Sequence, residues 1–157
     1  MSKSNFITQE GWDALNEEME ALWAERKMVA EAVGEAAAMG DRSENAEYIY
    51  GRKKMREIDR RISYIHKRFK VLIIPRIEKT ESDRAYFGSY VEFKDQTGRA
   101  MKFRLVGTDE ADVKKKQLSI DSPIGRVLQD KKVGDVVEAH TPVGKKIFTI
   151  VSVSHEA

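Results

Sequence analysis

The strongest constraint on the fold is a pair of apolar stripes separated by a short turn. Residues in each stripe follow one another at alternating steps of three and four, with Arg26 as a break in the first stripe. The first stripe contains Trp12, Leu15, Met19, Leu22, Val29, Val33 and Ala36, and the second contains Tyr48, Gly51, Met55, Ile58, Ile62, Ile65, Phe69 and Leu72. This spacing is typical of a coiled-coil seam. Because the stripes have similar lengths, each buries best against the other, which predicts an antiparallel helical hairpin.

Residues that start or end helices lie at the limits of the two predicted arms. Thr8 is a suitable N-cap for the first helix, Gly40 can end it, and Pro75 can end the second. With about thirty residues in each arm, the hairpin would extend roughly 45 Å. A compact helical bundle is the alternative. It would need a third apolar helix face, and the following segment has a strand pattern instead.

The period of the apolar residues changes to two in the second half. Val91 and Phe93 alternate with charged residues, and the same alternation returns at 101–105. Ser122 followed by Pro123 predicts the start of a short helix. The sequence therefore predicts an α+β fold, with a hairpin at 1–76, a linker at 77–84 and a small, mostly antiparallel β-sheet domain with a short helix at 85–157.

Composition excludes several functional classes. The chain has 157 residues, a net charge of only +2 and no cysteine, so it contains no disulfide and no thiolate metal site. Its modest net charge implies that electrostatic function depends on how charge is distributed. The apolar run at 71–74 is too short to cross a bilayer, and the first residues carry no apolar signal segment. These features predict a soluble intracellular protein.

An acidic pair lies in the turn between the two predicted helices. Asp41 and Glu44 are three residues apart, so at a helix start they share one face, about 5–6 Å apart at Cβ. One interpretation is a capping box, with Asp41 as N-cap and Glu44 at the third helical position. The other is an exposed carboxylate pair that shares a Mg²⁺ ion with ligands from another protein, since this ion commonly takes one or two carboxylates. Spacing alone leaves both open.

Basic residues crowd the second predicted helix, whereas the first is acidic. The basic positions are Arg52, Lys53, Lys54, Arg56, Arg60, Arg61, Lys67, Arg68 and Lys70. Salt bridges between the helices would use about half of them. The remainder would form a positive stripe leading to the acidic turn, suited to a single-stranded phosphate backbone.

Several segments resemble the bacterial Gre family of transcript-cleavage factors. Residues 40–48 (GDRSENAEY) are similar to the signature at the tip of the family's hairpin. Residues 120–126 (IDSPIGR) also resemble the family, as do 133–135 (VGD) followed by 141–144 (TPVG). The similarity covers the chain in order, and 56–61 (REIDRR) is more like the GreB branch than the GreA branch.

The resemblance implies a fold and a docking mode. The C-terminal domain would be FKBP-like and would bind the rim of the RNA polymerase secondary channel through Asp121, Ser122 and Pro123. A plain helix cap is the alternative role for these three residues. The resemblance further implies a monomeric, cytoplasmic, DNA-binding transcription factor without membrane contact, which is not an autonomous enzyme.

The resemblance also implies a role for the hairpin. Asp41 and Glu44 would help to hold the second catalytic Mg²⁺ of the polymerase and position the attacking water. The polymerase would then cut backtracked RNA near its 3′ end, by two-metal phosphodiester hydrolysis. By position, Arg52, Lys53, Arg56 and Arg60 would contact the extruded RNA.

Three other functions compete with this prediction. A channel-binding inhibitor of the same architecture would block the polymerase without cleavage, although the retained acids at 41 and 44 argue against it. A peptidyl-prolyl isomerase follows only from fold analogy, which does not carry function. A general single-stranded nucleic-acid binder would bind RNA without polymerase and with a steep salt dependence.

Overall fold

The computed structural model describes residues 5–40, 45–76 and 83–155. These residues group into two units. One is Trp12–Leu72, and the other joins the described residues of Met1–Gly11 to those of Ile73–Ala157. The segment before Trp12 therefore groups with the β-rich half. Apart from Asp83 and Arg84, the predicted linker lies outside the described residues, so the predicted domain boundaries stay predictions.

Two long helices form the first half of the described chain. Helix α1 spans Gln9–Ala38 and α2 spans Ala46–Phe69. Thr8 caps α1 as predicted, because its Oγ1 accepts a hydrogen bond from the Gly11 N–H at 3.0 Å. Neither helix is long and apolar enough, within the part that the structure describes, to cross a membrane.

Contacts along the two arms show that they run antiparallel. Partners in α2 and at its N-cap have falling numbers as those in α1 rise: Trp12 with Phe69, Glu18 with Arg61, Arg26 with Asp59, and Ala36 with Asn45. The predicted hairpin is thus confirmed.

The apolar stripes form the contact between the arms. Leu15, Ile58 and Ile65 are buried, whereas Trp23 and Met28, which lie off the stripe, are exposed. Gly51 lets the arms approach closely, because a Cβ there would lie 2.5 Å from Cγ2 of Val33.

The second half contains a five-stranded sheet. Its strands are β1 at Tyr90–Lys94, β2 at Ala100–Val106, β3 at Gln117–Ser119, β4 at Val136–Thr141 and β5 at Gly144–Ser154. Their spatial order is β3-β2-β1-β5-β4. Helix α3, at Pro123–Leu128, follows β3. The predicted α+β class is confirmed.

One pair of strands differs in direction from the rest. β2 and β3 are parallel, whereas β1–β2, β1–β5 and β4–β5 are antiparallel. The prediction of a mostly antiparallel sheet is confirmed, and the one parallel pair makes the sheet mixed. The physical reason is the connection after β2, which contains a 3₁₀ turn at Val113–Lys115 instead of a tight hairpin and returns the chain before β3 begins.

The core of this unit lies between the sheet and α3. Val91, Phe93, Leu105, Leu128 and Ile150 are almost completely buried and belong to one apolar cluster. The rings of Phe93 and Phe148 meet edge to face, with centroids 5.0 Å apart.

The segment before α1 is tied to this β-rich unit. The Ile7 N–H donates to the Ile73 carbonyl at 3.0 Å, and the Ile73 N–H donates to the Asn5 carbonyl at 2.7 Å. The Glu110 carboxylate accepts from both the backbone N–H and the hydroxyl of Thr8. Gly107 permits the close approach, since a Cβ there would lie 2.0 Å from the Phe6 carbonyl oxygen.

Candidate functional site

The start of α2 decides between the two interpretations of the acidic turn. Asn45 is the N-cap, in an extended conformation, and its Oδ1 accepts from the Tyr48 N–H at 3.1 Å. Its Nδ2 donates to the Ala36 carbonyl at 2.7 Å and so ties the last turn of α1 to the first turn of α2. The capping-box interpretation of Asp41 and Glu44 is wrong, because α2 begins at Ala46 and is capped by Asn45.

Asp41 and Glu44 themselves lie outside the described residues. They belong to the four-residue tip segment, 41–44, which connects Gly40 to Asn45 in the sequence. Two carboxylates fit the ligand preference of Mg²⁺, which completes its shell with water or phosphate oxygens. Among the described residues, no group of three metal-binding side chains is present. The carboxylate pair at 41 and 44 stays a predicted Mg²⁺ site, and two carboxylates alone would need further ligands from a partner.

The cap makes a testable contribution to the hairpin. Asn45→Ala should lower the free energy of unfolding by about 1–2 kcal/mol, because the Tyr48 N–H and the Ala36 carbonyl both lose a partner. Asn16→Ala is the matched control, since Asn16 is exposed within α1 and alanine there favours the helix. Urea unfolding followed by circular dichroism measures both. Equal midpoints for the two variants would contradict the capping role.

Salt bridges between the arms use some basic residues of α2. Arg61 pairs with Glu18 at 2.6 Å, and Lys54 pairs with Glu25 at 3.3 Å. Hydrogen bonds from the Arg61 guanidinium hold the pKa of Glu18 below its usual value. These partly exposed pairs contribute little stability each, and their main effect is to occupy two of the predicted cations.

The four residues predicted to contact RNA differ from Arg61 and Lys54 in having no acidic partner among the described residues. Arg52, Lys53, Arg56 and Arg60 are exposed, and none of them forms an ion pair with another residue in the described ranges. Arg52, Arg56 and Arg60 are four residues apart and share one helix face over about 12 Å. Like charges at this spacing cost an isolated helix about 0.2–0.5 kcal/mol per pair. The arrangement therefore favours binding of an anion over stabilisation of the hairpin.

The predicted docking residues form the start of α3. Ser122 caps this helix, with its Oγ accepting from the Gly125 N–H at 3.0 Å, and Pro123 occupies the first turn. Asp121 accepts a hydrogen bond from the Thr108 hydroxyl at 2.7 Å. The helix-cap interpretation is therefore confirmed for Ser122. All three residues remain at least partly exposed, so the cap leaves them accessible to a partner.

Comparison with known families assigns both halves of the chain. The model for the N-terminal domain of transcription elongation factors matches residues 5–74. The model for the C-terminal domain of the GreA/GreB transcription elongation factors matches residues 79–155. The chain belongs to the GreA/GreB family of transcription elongation factors.

Two GreB relatives agree with this assignment. The chain is 49% identical over 156 residues to transcription elongation factor GreB of Yersinia pestis, covering 99% of this chain and 91% of the relative. It is 48% identical to GreB of Haemophilus ducreyi, covering 96% and 93%. The solved structure of Gfh1 from Thermus aquaticus is similar over 98% of this chain and 99% of that chain, with 24% identity and a TM-score of 0.44.

Proposed function

We propose that this chain stimulates the intrinsic cleavage of backtracked RNA by bacterial RNA polymerase and so rescues arrested elongation complexes. In this proposal the β-rich unit docks on the rim of the secondary channel through Asp121, Ser122 and Pro123. The hairpin enters the channel and brings the tip segment to the polymerase active site. The factor acts in the cytoplasm as a monomer and relies on the polymerase for catalysis.

The observation that carries this proposal is the position of Asn45. Because Asn45 caps α2, helix capping no longer accounts for the carboxylates at 41 and 44. Asp41 and Glu44 would hold Mg²⁺ together with ligands of the polymerase, and the ion would stabilise charge on the attacking and leaving oxygens. The same two carboxylates would orient the attacking water.

The unpaired cations of α2 support the second part of the proposal. Arg52, Lys53, Arg56 and Arg60 would contact phosphates of the extruded RNA 3′ segment, because they present charge that no described acid neutralises. Such contacts release counterions and therefore weaken as salt rises.

A cleavage assay tests the proposal directly. Elongation complexes are stalled in a backtracked state with RNA labelled at its 5′ end, and the full chain is added with Mg²⁺. We expect a shortened labelled RNA that the polymerase extends again when nucleotides are supplied. Intact RNA together with slowed elongation would instead indicate a channel-blocking inhibitor and overturn the proposal. Tight binding to free RNA with no effect on the complexes would indicate a general RNA binder.

A further inference from the structure

One edge of the sheet is open over part of its length. β3 pairs with β2 only at Arg104–Val106, so Ala100–Phe103 has no neighbouring strand on that side within the described residues. The Arg104 N–H faces this side, since it donates to the Lys116 carbonyl at 2.9 Å. Backbone groups alternate in direction along a strand, so those of Lys102 and Ala100 face the same side. We call Ala100–Phe103 the open edge.

A basic groove of about 560 Å³ runs along the open edge. Its cations are Arg99, Lys102, Arg104, Lys115 and Lys116, and no acidic residue lines it. Arg104 pairs with Glu10 at 3.5 Å. Lys102, Lys115 and Lys116, by contrast, form no ion pair with another described residue. The groove therefore combines unpaired backbone groups with uncompensated positive charge.

Two aromatic rings of the groove each have a basic side chain lying against one face. The Arg104 guanidinium lies 5.3 Å from the Tyr90 ring centroid, and the Lys116 ammonium lies 5.4 Å from that of Phe103. Single-stranded nucleic acids use such rings as stacking platforms, and here one face of each is occupied. An extended peptide needs no free ring, because its main chain bonds to the strand edge.

Lys116 ends the 3₁₀ turn beside the groove and is one of its lining residues. Lys116 has φ 60°, a left-handed conformation that glycine adopts without the steric cost a lysine bears. Lys116 adopts this conformation as the C-cap of the 3₁₀ turn at Val113–Lys115. A lysine at this position adds its own positive charge to the groove, whereas a glycine would add none.

We propose that the open edge of β2 binds an extended acidic segment of a protein partner as an added β-strand. The main chain of the segment would bond to Ala100 and Lys102, and its carboxylates would face Lys102, Lys115 and Lys116. Lysine on an edge strand also discourages pairing with a second copy, because the like charges repel. The lysines would therefore attract an acidic strand and repel the basic edge of a second copy. None of the residues that line this surface belongs to the tip segment or to the docking residues of the proposed function.

A synthetic peptide provides the direct test. The probe is a blocked hexapeptide of alternating glutamate and valine, added to the full ¹⁵N-labelled chain and followed by NMR. We expect shifts at the amides of Ala100, Lys102 and Lys116, with slower hydrogen exchange at the Lys102 N–H. Unchanged exchange at Lys102 would overturn strand addition, since a new strand must protect that group.

Charge-reversal variants test the location of the site. Lys102→Glu with Lys115→Glu should weaken peptide binding about tenfold or more, because each substitution replaces an attraction with a repulsion. Lys131→Glu with Lys132→Glu is the matched control, since both lysines are exposed and neither lines the groove. Lys116→Gly removes a cation at a position whose backbone suits glycine. An unchanged urea-unfolding midpoint would show that its loss of binding does not result from unfolding. Equal weakening in the control pair would overturn the assignment.

Modified peptides separate strand addition from charge attraction. Two versions of the hexapeptide carry N-methyl groups on opposite sets of alternate residues, so each lacks the backbone donors of one side only. We expect their affinities to differ about tenfold or more, because one set faces the open edge. Equal affinities, equally tight binding of a uridine hexanucleotide, or self-association of the chain through this edge would each overturn the proposal.

Discussion

The Asp41→Asn, Glu44→Gln double variant is expected to stimulate RNA cleavage at least about a hundredfold less than the unmodified chain, while its binding to polymerase is retained. Both substitutions keep the size of the side chain and remove its negative charge. A metal ion contributes several kcal/mol of transition-state stabilisation, and loss of its ligands removes much of that. The measurement pairs a cleavage time course on backtracked complexes with a binding titration of the same complexes.

A nearby acid provides the control for this experiment. Glu47 is exposed in the first turn of α2, and Glu47→Gln removes one charge close to the tip without removing either proposed ligand. We expect its cleavage rate to stay within about twofold of the unmodified chain, because a single charge at a helix start contributes at most about 1 kcal/mol to the helix. Undiminished cleavage by the double variant would refute the catalytic role of the tip. An equal loss of polymerase binding and of cleavage by the double variant would show that the substitutions weaken binding to the polymerase.

The Arg56→Gln, Arg60→Gln variant should need about ten times more factor for half-maximal cleavage. It should also show a weaker salt dependence, with the slope of log affinity against log salt smaller by about 1.4, because each contact with a single strand contributes about 0.7. Both residues are exposed, and neither pairs with an acid among the described residues. Cleavage titrations at several salt concentrations measure both quantities.

The matched variant removes two positive charges from the same helix at paired positions. Lys54→Gln with Arg61→Gln breaks the ion pairs with Glu25 and Glu18. We expect a loss of hairpin stability of about 1 kcal/mol or less per pair and no change in the salt slope. If both double variants change the slope equally, the contact with RNA depends on the overall charge of α2, and the division into paired and unpaired cations carries no functional meaning.

The hairpin could be predicted from the sequence because its signal is repeated many times. Fifteen apolar positions maintain the same spacing, so a local exception such as the interruption at Arg26 does not obscure the pattern. The interruption has a physical explanation in the structure, where Arg26 pairs with Asp59 across the arms at 2.6 Å. The pairing raises the pKa of Arg26, chiefly through the hydrogen bond to Asp59.

The spacing of the acidic pair did not identify the cap of α2. Asp41 and Asn45 are both good N-cap residues, and each is followed by a helix-compatible segment. Choosing between them requires the position at which the chain leaves α1, and the bond from Asn45 to the Ala36 carbonyl fixes that position. A preference for the residue immediately before the longest uninterrupted helical run would have favoured Asn45.

Long-range contacts account for the other differences from the sequence-based expectation. The direction of β3 has no local signal, because a strand of three residues pairs equally well either way until its connection is known. Which cations of α2 are neutralised depends on the register of the arms. The open edge is likewise invisible in the sequence, since it depends on where β3 stops.

The link between residues 5–8 and the β-rich unit has a consequence for how this chain can vary. Because Ile73 and Glu110 hold the segment that precedes α1, the chain enters and leaves the hairpin from the same unit. The hairpin is in effect an insertion, with both of its ends anchored in one host. Adding a heptad to each arm would lengthen it by roughly 10 Å and leave both junctions unchanged. The length of the hairpin can therefore change without altering its junctions with the β-rich unit. A fragment that begins at residue 77 would lack residues 5–8, which belong to that unit.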